Sequence, residues 1–191
     1  MAADPITPIT TERLIIRPFI ASDFDAIHAV LNSAFGEVPL AERRRWLQWS
    51  ILNEATLAWM YQPPYGDLAV VRRDTHELIG SVGLVPAYGP FERLPSFQQR
   101  LATPNTTHFT TEMGLFWGIH ASHRRQGYAA EAALALVDTA FQRLNLQRIV
   151  ATTDFDNEAS VGVMRKIGMT IERNPDADPP WFQVVGVKFN C

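Results

Sequence analysis

The sequence predicts an α/β fold, and three observations carry that expectation. Short runs suited to strands alternate with longer amphipathic stretches. One of those runs, Met113 to Ile119, passes through a basic, glycine-containing turn directly into a helical stretch. The length of 191 residues, 47% of them hydrophobic, suffices for one domain with a substantial core but not comfortably for two. Residues 11–191 are expected to form that domain, with residues 1–10 as an N-terminal extension.

Taken in order, Thr11 to Ile20 reads as a first strand stopped by Pro18. Ser22-Asp23-Phe24-Asp25 is the cap of a first helix whose buried side holds Ile27, Val30 and Leu31. His28 within it has no second ligand at i+4 and reads as structural or exposed. Pro39 opens a second helix, with Leu40, Leu47, Ile51 and Leu52 on a broad apolar face. Its aromatic residues, Trp46, Trp49, Trp59 and Tyr61, are expected mostly in the core.

Leu68 to Arg73 and Leu78 to Leu84 form a hairpin around the polar reversal Asp74-Thr75-His76-Glu77. Gly80 and Gly83 point to close approach by a helix or ligand. The proline-rich, irregular stretch from Pro86 to Thr107 is expected as a selectivity flap, a subunit contact or a surface insertion.

Met113 to Ile119 is apolar or glycine throughout, as suits a strand covered on both faces. Alternation puts Glu112, Gly114, Phe116 and Gly118 on one side and Met113, Leu115, Trp117 and Ile119 on the other. Ala130 to Leu144 carries Leu134, Val137, Phe141 and Leu144 as a helical stripe. Between them, Arg124-Arg125-Gln126-Gly127-Tyr128-Ala129 presents backbone N–H groups at a helix start, where donors lack intrahelical partners and the dipole favours an anion. This is a candidate phosphate or pyrophosphate site, although a glycine before a helix also makes an ordinary tight turn and paired arginines also form solvated faces.

The chain then offers a β-branched strand, Arg148 to Thr153, and a helix from about Glu158 to Ile167 capped by Asn157 and stopped by Gly168. Met169 to Arg173 and Phe182 to Phe189 are the last strands. A formal charge of −3 and a pI near 5.9 provide no general attraction for nucleic acid or an anionic membrane. Cys191 is the only cysteine, which excludes an intrachain disulfide and a cysteine-based zinc site; no metal is expected, and a reducing cytoplasm fits. The N-terminus lacks the pattern of a signal peptide and no apolar run is long enough to span a bilayer.

Four segments, in order, resemble the GNAT-superfamily N-acetyltransferases, and more narrowly the subgroup containing the ribosomal-protein N-terminal acetyltransferases. They are TERLIIRPF, LIGSVGL, Arg124-x-x-Gly127-x-Ala129 running into Ala130-Glu131-Ala132, and Asn157-x-x-Ser160 followed by Met164-Arg165-Lys166-Ile167-Gly168-Met169. The resemblance runs from Thr11 to about Phe189. It implies a mixed, twisted sheet of six or seven strands with about four helices, the central strand and the next splaying apart around acetyl-CoA. It also implies that Arg125, Gln126, Gly127, Tyr128, Ala129 and Ala130 receive the pyrophosphate on backbone amides, with Arg124 and Arg125 adding charge. Phe116, Trp117, Gly118 and Ile119 would pair with the pantetheine arm, and Asn157 and Ser160 would touch it from the opposite wall.

The implied function is acetyl transfer from acetyl-CoA to a primary amine by direct attack in a ternary complex. The acceptor is a peptide or protein N-terminus or a small-molecule amine, and a homodimer is compatible. Glu112 is the candidate general base, with an ion-paired structural role an equal alternative. A backbone N–H within Trp117 to Ile119 is the natural donor to the oxyanion. The chain has Met164 where much of the superfamily has a tyrosine that protonates the thiolate, so Ser160 is the candidate substitute. His120 and His123 are expected at the phosphate side or in solvent, Tyr128 beside the cofactor, and Glu131 as support for the turn. A non-catalytic acyl-CoA-binding module is the competing reading; a P-loop is poor because no Lys-Ser/Thr pair follows the glycine turn.

Overall fold

The computed structural model describes residues 7–103, 107–176 and 178–190. The chain forms two compact units, Met1–Val85 with Phe116–Leu144, and Pro86–Leu115 with Asn145–Cys191. The long strands β4 (Leu78–Gly89) and β5 (Thr110–Ile119) contribute residues to both.

In the first unit the strand order is β1-β2-β3-β4-β5, with β1 at Ile9–Thr10, β2 at Leu14–Arg17 and β3 at Gly66–Arg72. Antiparallel registers include Ile9↔Ile16, Ile16↔Val70 and Ala69↔Ser81. One side of this sheet packs on α1 (Phe24–Phe35) and α2 (Leu40–Trp59), where Phe19, Ile27, Leu31 and Leu47 meet Ala69, Val71 and Leu78. Helix α4 (Tyr128–Leu144) is buried through Ala132, Ala133, Leu136, Val137 and Ala140. Of the expected stripe only Val137 is fully buried; small residues let the helix axis come close, which moves the buried face towards the alanines.

In the second unit the order is β5-β6-β8-β7, with β6 at Arg148–Thr153, β7 at Thr170–Arg173 and β8 at Val184–Phe189. β6 pairs with β8 along its whole length, from Arg148↔Phe189 to Thr153↔Val184. Its parallel ladder with β5 consists of the single register pair Gly114↔Val150. Such a short ladder is what two separating strands leave. Helix α5 (Glu158–Lys166) buries Val161 and Met164.

Three expectations need correction. The stretch after Pro86 is not a loop laid on the surface: β4 continues to Gly89, a 3-10 turn follows at Phe91–Arg93, and α3 spans Pro95–Gln98. Phe91, Leu94 and Phe97 are buried against Val150, Phe182 and Val185, each worth about 1.5–3 kcal/mol of apolar burial. Pro104, Asn105 and Thr106 lie outside the described residues.

Helix α2 is the second correction. Leu40, Trp49, Leu52, Trp59 and Tyr61 are exposed, and the buried positions are Arg43, Leu47 and Ser50. These follow the i, i+4, i+7 spacing of one helix face, a face that the bulky residues do not occupy. Trp46 alone among the aromatic residues packs inward, edge-on to Phe19.

The third concerns the first helix. Asp23 precedes α1 without bonding its first-turn amides. Its carboxylate takes the Arg17 guanidinium at 2.7 Å and the Ile20 N–H at 2.9 Å instead.

Candidate functional site

The first unit carries the turn between β5 and α4. Arg125 and Gly127 adopt left-handed backbone, φ +61 and φ +86, and so direct the intervening amides away from ordinary helical partners. The helix closes with Glu131 N–H donating to Gly127 O at 3.0 Å. Among the described residues no protein acceptor meets the N–H groups of Arg125, Gln126, Gly127, Tyr128, Ala129 or Ala130. The Arg125 guanidinium is exposed and likewise has no partner. A cluster of unused donors at the positive end of a helix dipole is suited to hold an anion.

Arg124 is occupied differently, donating to Ile119 O at 3.2 Å and Ser33 O at 3.0 Å. It anchors the turn to β5 and α1. His123 meets Glu77 at 3.1 Å and is mostly buried, and His120 shares a 2.7 Å hydrogen bond with Ser122. His123 therefore braces the turn, where phosphate contact or solvent exposure was expected, while the His120 ring makes local, exposed bonds.

Sequence reasoning missed Arg13, which contacts the same turn from a position 113 residues away. Its guanidinium donates to Gln126 O at 3.0 Å, lies 4.4 Å over the Tyr128 ring, and pairs with Glu131 at 2.6 Å. Glu131 also accepts from the Thr11 hydroxyl at 2.6 Å and from the Arg13 N–H at 3.0 Å. Burial pushes the Glu131 carboxyl up, but these hydrogen bonds and the guanidinium outweigh it and hold its pKa below the ordinary value. The expectation that Glu131 supports the turn gains a concrete partner. Only the acidic residue in the first turn of α4 could have hinted at it.

Along β5, Phe116 and Trp117 are partly exposed whereas Gly118 and Ile119 are buried. A Cβ at Gly118 would lie 2.8 Å from the Phe35 ring, and Phe35 packs on Phe116 at 5.5 Å. A Cβ at Gly80 would sit 2.6 Å from Gly118 O. These two glycines let β4, β5 and the end of α1 approach closely; at Gly80 and Gly83, where a helix or ligand was expected, the close neighbours are instead the adjoining strands β5 and β3.

The second unit holds the remaining candidates. Both carboxylate oxygens of Glu112 are engaged by Arg148, at 2.6 and 2.8 Å, and the guanidinium also lies 4.5 Å over the Phe97 ring. The Glu112 side chain is only 10% exposed. Asn157 caps α5 by accepting from Ser160 N–H at 3.1 Å, as the sequence pattern requires. The Ser160 hydroxyl has no partner among the described residues. Met164 is fully buried beside Gly186, with its sulfur 3.0 Å from where a Cβ there would stand.

The fold is that of an acetyltransferase, and comparison with known proteins agrees. A family model described as the acetyltransferase (GNAT) domain matches residues 13–170, so the chain belongs to the GNAT acetyltransferase family. It is 31% identical over 166 residues to the uncharacterized N-acetyltransferase YoaA of Bacillus subtilis (strain 168), covering 86% of this chain and 83% of that one. Its fold is similar to a putative ribosomal-protein-serine acetyltransferase from Vibrio cholerae, with TM-score 0.69, 22% identity and coverage of 97% and 98%. It is similar also to the ribosomal L7/L12 alpha-N-protein acetyltransferase RimL in complex with coenzyme A, with TM-score 0.61, 16% identity and coverage of 94% and 95%. Among the described residues, no helix is long and apolar enough to cross a membrane.

Proposed function

We propose that this acetyltransferase moves the acetyl group of acetyl-CoA to a primary amine by direct attack within a ternary complex. The observation that carries the reading is the set of unpartnered amides from Arg125 to Ala130 beside the free Arg125 guanidinium. A pyrophosphate satisfies such donors, and the peptide-like arm of CoA suits hydrogen bonding along Phe116 to Ile119.

In the reaction the amine lone pair forms a bond to the thioester carbon, the carbon–sulfur bond breaks, nitrogen loses one proton and sulfur gains one. A backbone N–H within Trp117 to Ile119 stabilises the oxyanion. Ser160, with its unspent hydroxyl, is the proposed donor to the thiolate. Glu112 is the fixed negative charge of an ion pair, and its bond to Arg148 supports a positioning part over that of a free proton acceptor. A peptide N-terminus, with its amine near pKa 8, needs less help at neutral pH than a lysine-like amine near about 10.

The test is an amine panel spanning N-terminal peptides, diamines and amino acids, followed by thiol release from acetyl-CoA. Acetylated product with stoichiometric CoA is the expected result. The paired state of Glu112 and the burial of Met164 favour one rival, a non-catalytic acyl-CoA-binding module. Tight CoA binding with no consumption of acetyl-CoA across the panel would establish that rival.

A further inference from the structure

The α1–α2 side of the first unit's sheet holds polar groups that the fold itself leaves unsatisfied. Asp67 lies opposite Gly83, and the adjoining cross-strand pair is Ala69↔Ser81. Directly opposed residues of an antiparallel pair share a face. Ala69 packs with Leu31 and Leu47 of α1 and α2, so Asp67 and Ser81 point to that same side.

Ser81 is fully buried and its Oγ has no hydrogen bond. Ser50 of α2 is buried with an orphan Oγ as well. Its position above the strand follows from its neighbours one turn away on the helix. Leu47 packs in the core with Ala69, and Asn53 donates to Tyr65 O at 2.6 Å. Ser50, between them, therefore stands over the start of β3.

Asp67 has neither hydrogen-bond nor ion-pair partner among the described residues. Its Oδ1 lies 2.9 Å from where a Cβ of Gly83 would stand, so the carboxylate leans over β4 rather than over its own strand. From β4 to β5 is one strand spacing, about 4.8 Å. Phe116 to Ile119 are thus within reach of whatever the carboxylate holds. A native fold rarely strands a carboxylate and two hydroxyls together without an occupant to bond them. Burial without a cation pushes the Asp67 carboxyl up to about 6, which leaves it ionised at neutral pH and short of a counter-charge.

We propose that Asp67, with Ser81 and Ser50, receives the acceptor in its ammonium form on the α1–α2 side of β3 and β4, and that the nitrogen yields one proton to water before its lone pair attacks. An ammonium has three N–H donors, matched by one carboxylate and two hydroxyl oxygens. Diagonal neighbours such as Asp67 and Ser81 are about 7 Å apart at the backbone, a span that one ammonium bridges when both side chains lean onto it. The glycine at position 83 lets Asp67 lean close over β4. This inference rests on the reading that the acceptor is a primary amine, and it names the group that recognises it.

The test titrates n-butylammonium chloride into the protein, free and loaded with CoA, while following the side-chain carboxyl of Asp67 by carbon NMR. A shift of that resonance is expected, with no shift from the same concentration of potassium chloride. Asp67→Asn should weaken butylammonium binding by about tenfold or more. For the best amine of the panel it should raise KM by a similar factor, with kcat within about threefold. CoA affinity should hold and Tm at neutral pH should rise rather than fall, since the carboxylate makes no bond in the fold and its burial cost is removed. An equal response to potassium, or unaltered amine binding in Asp67→Asn, would overturn the proposal. Should Asp67→Asn fail to fold, Ser81→Ala carries the same comparison. Titration of CoA into the same samples reads the acetyltransferase assignment separately, because its failure would leave the ammonium response untouched.

Discussion

The two units treat comparable features in opposite ways. In the second, the start of α5 is closed by the Asn157 side chain, and the carboxylate of Glu112 is neutralised by Arg148. Among the described residues of the first, the start of α4 leaves its amides open, and the carboxylate of Asp67 faces no cation. Satisfied groups contribute to stability, whereas unsatisfied ones cost stability and are retained where a ligand completes them. The contrast supports the binding surfaces proposed for the first unit on physical grounds independent of family resemblance.

The contrast breaks most readily at Gly127. A Cβ there would meet only the movable end of Arg13, so the constraint is the φ of +86 rather than lack of space. Gly127→Val should strain the turn, misdirect the amides and weaken CoA binding by roughly 100-fold, about 2.7 kcal/mol, measured by calorimetry. Unchanged affinity would remove the pyrophosphate assignment. Next in size is Glu112→Gln, which leaves a largely buried Arg148 uncompensated. A loss of about 2 kcal/mol in urea unfolding is expected, with the pH–rate profile unmoved. Disappearance of an acidic limb from that profile would restore Glu112 as the base.

The pH dependence of stability sharpens the comparison further. Asp67 is raised in the folded state from 3.8 to about 6, so the folded protein holds its proton more tightly than the unfolded chain. Stability should therefore fall as pH rises from about 4 to 6, by roughly 1–2 kcal/mol after allowing for partial exposure. Asp67→Asn should abolish that slope. Glu131 acts with the opposite sign: its folded value is depressed, so its contribution is present above the unfolded value and lost as pH falls through the folded one. The smallest effect belongs to Asn157→Ala, which removes a helix cap worth about 1 kcal/mol and should lower Tm by roughly 2–4 °C.

Features set by local backbone chemistry were readable in advance. The β5–turn–α4 passage, the Asn157 cap and the Gly168 stop each follow from a few neighbouring residues, and each stands where expected. Contacts remote in sequence were not readable. Arg13 reaches Gln126, and Arg148 reaches Glu112, through pairings that no local spacing encodes. In α2 the hydrophobic residues are spread around the helix, so composition pointed to a broad core face while geometry buried only Arg43, Leu47 and Ser50. Prolines made the stretch from Pro86 read as loop, yet Phe91, Leu94 and Phe97 recur at the spacing of a short helix and draw it into the core. Asp67 stood one residue before the expected strand and carried no motif.

Arg13 has one further consequence. A single side chain near the beginning of β2 holds a carbonyl of the turn, a carboxylate of α4 and the face of Tyr128. The N-terminal strand is thereby a clasp, and docking it and shaping the donor-rich loop become one event. Unpinning that strand, by acid strong enough to protonate Glu131 or by cutting the chain ahead of Leu14, would loosen the proposed pyrophosphate loop without altering any of its own amides.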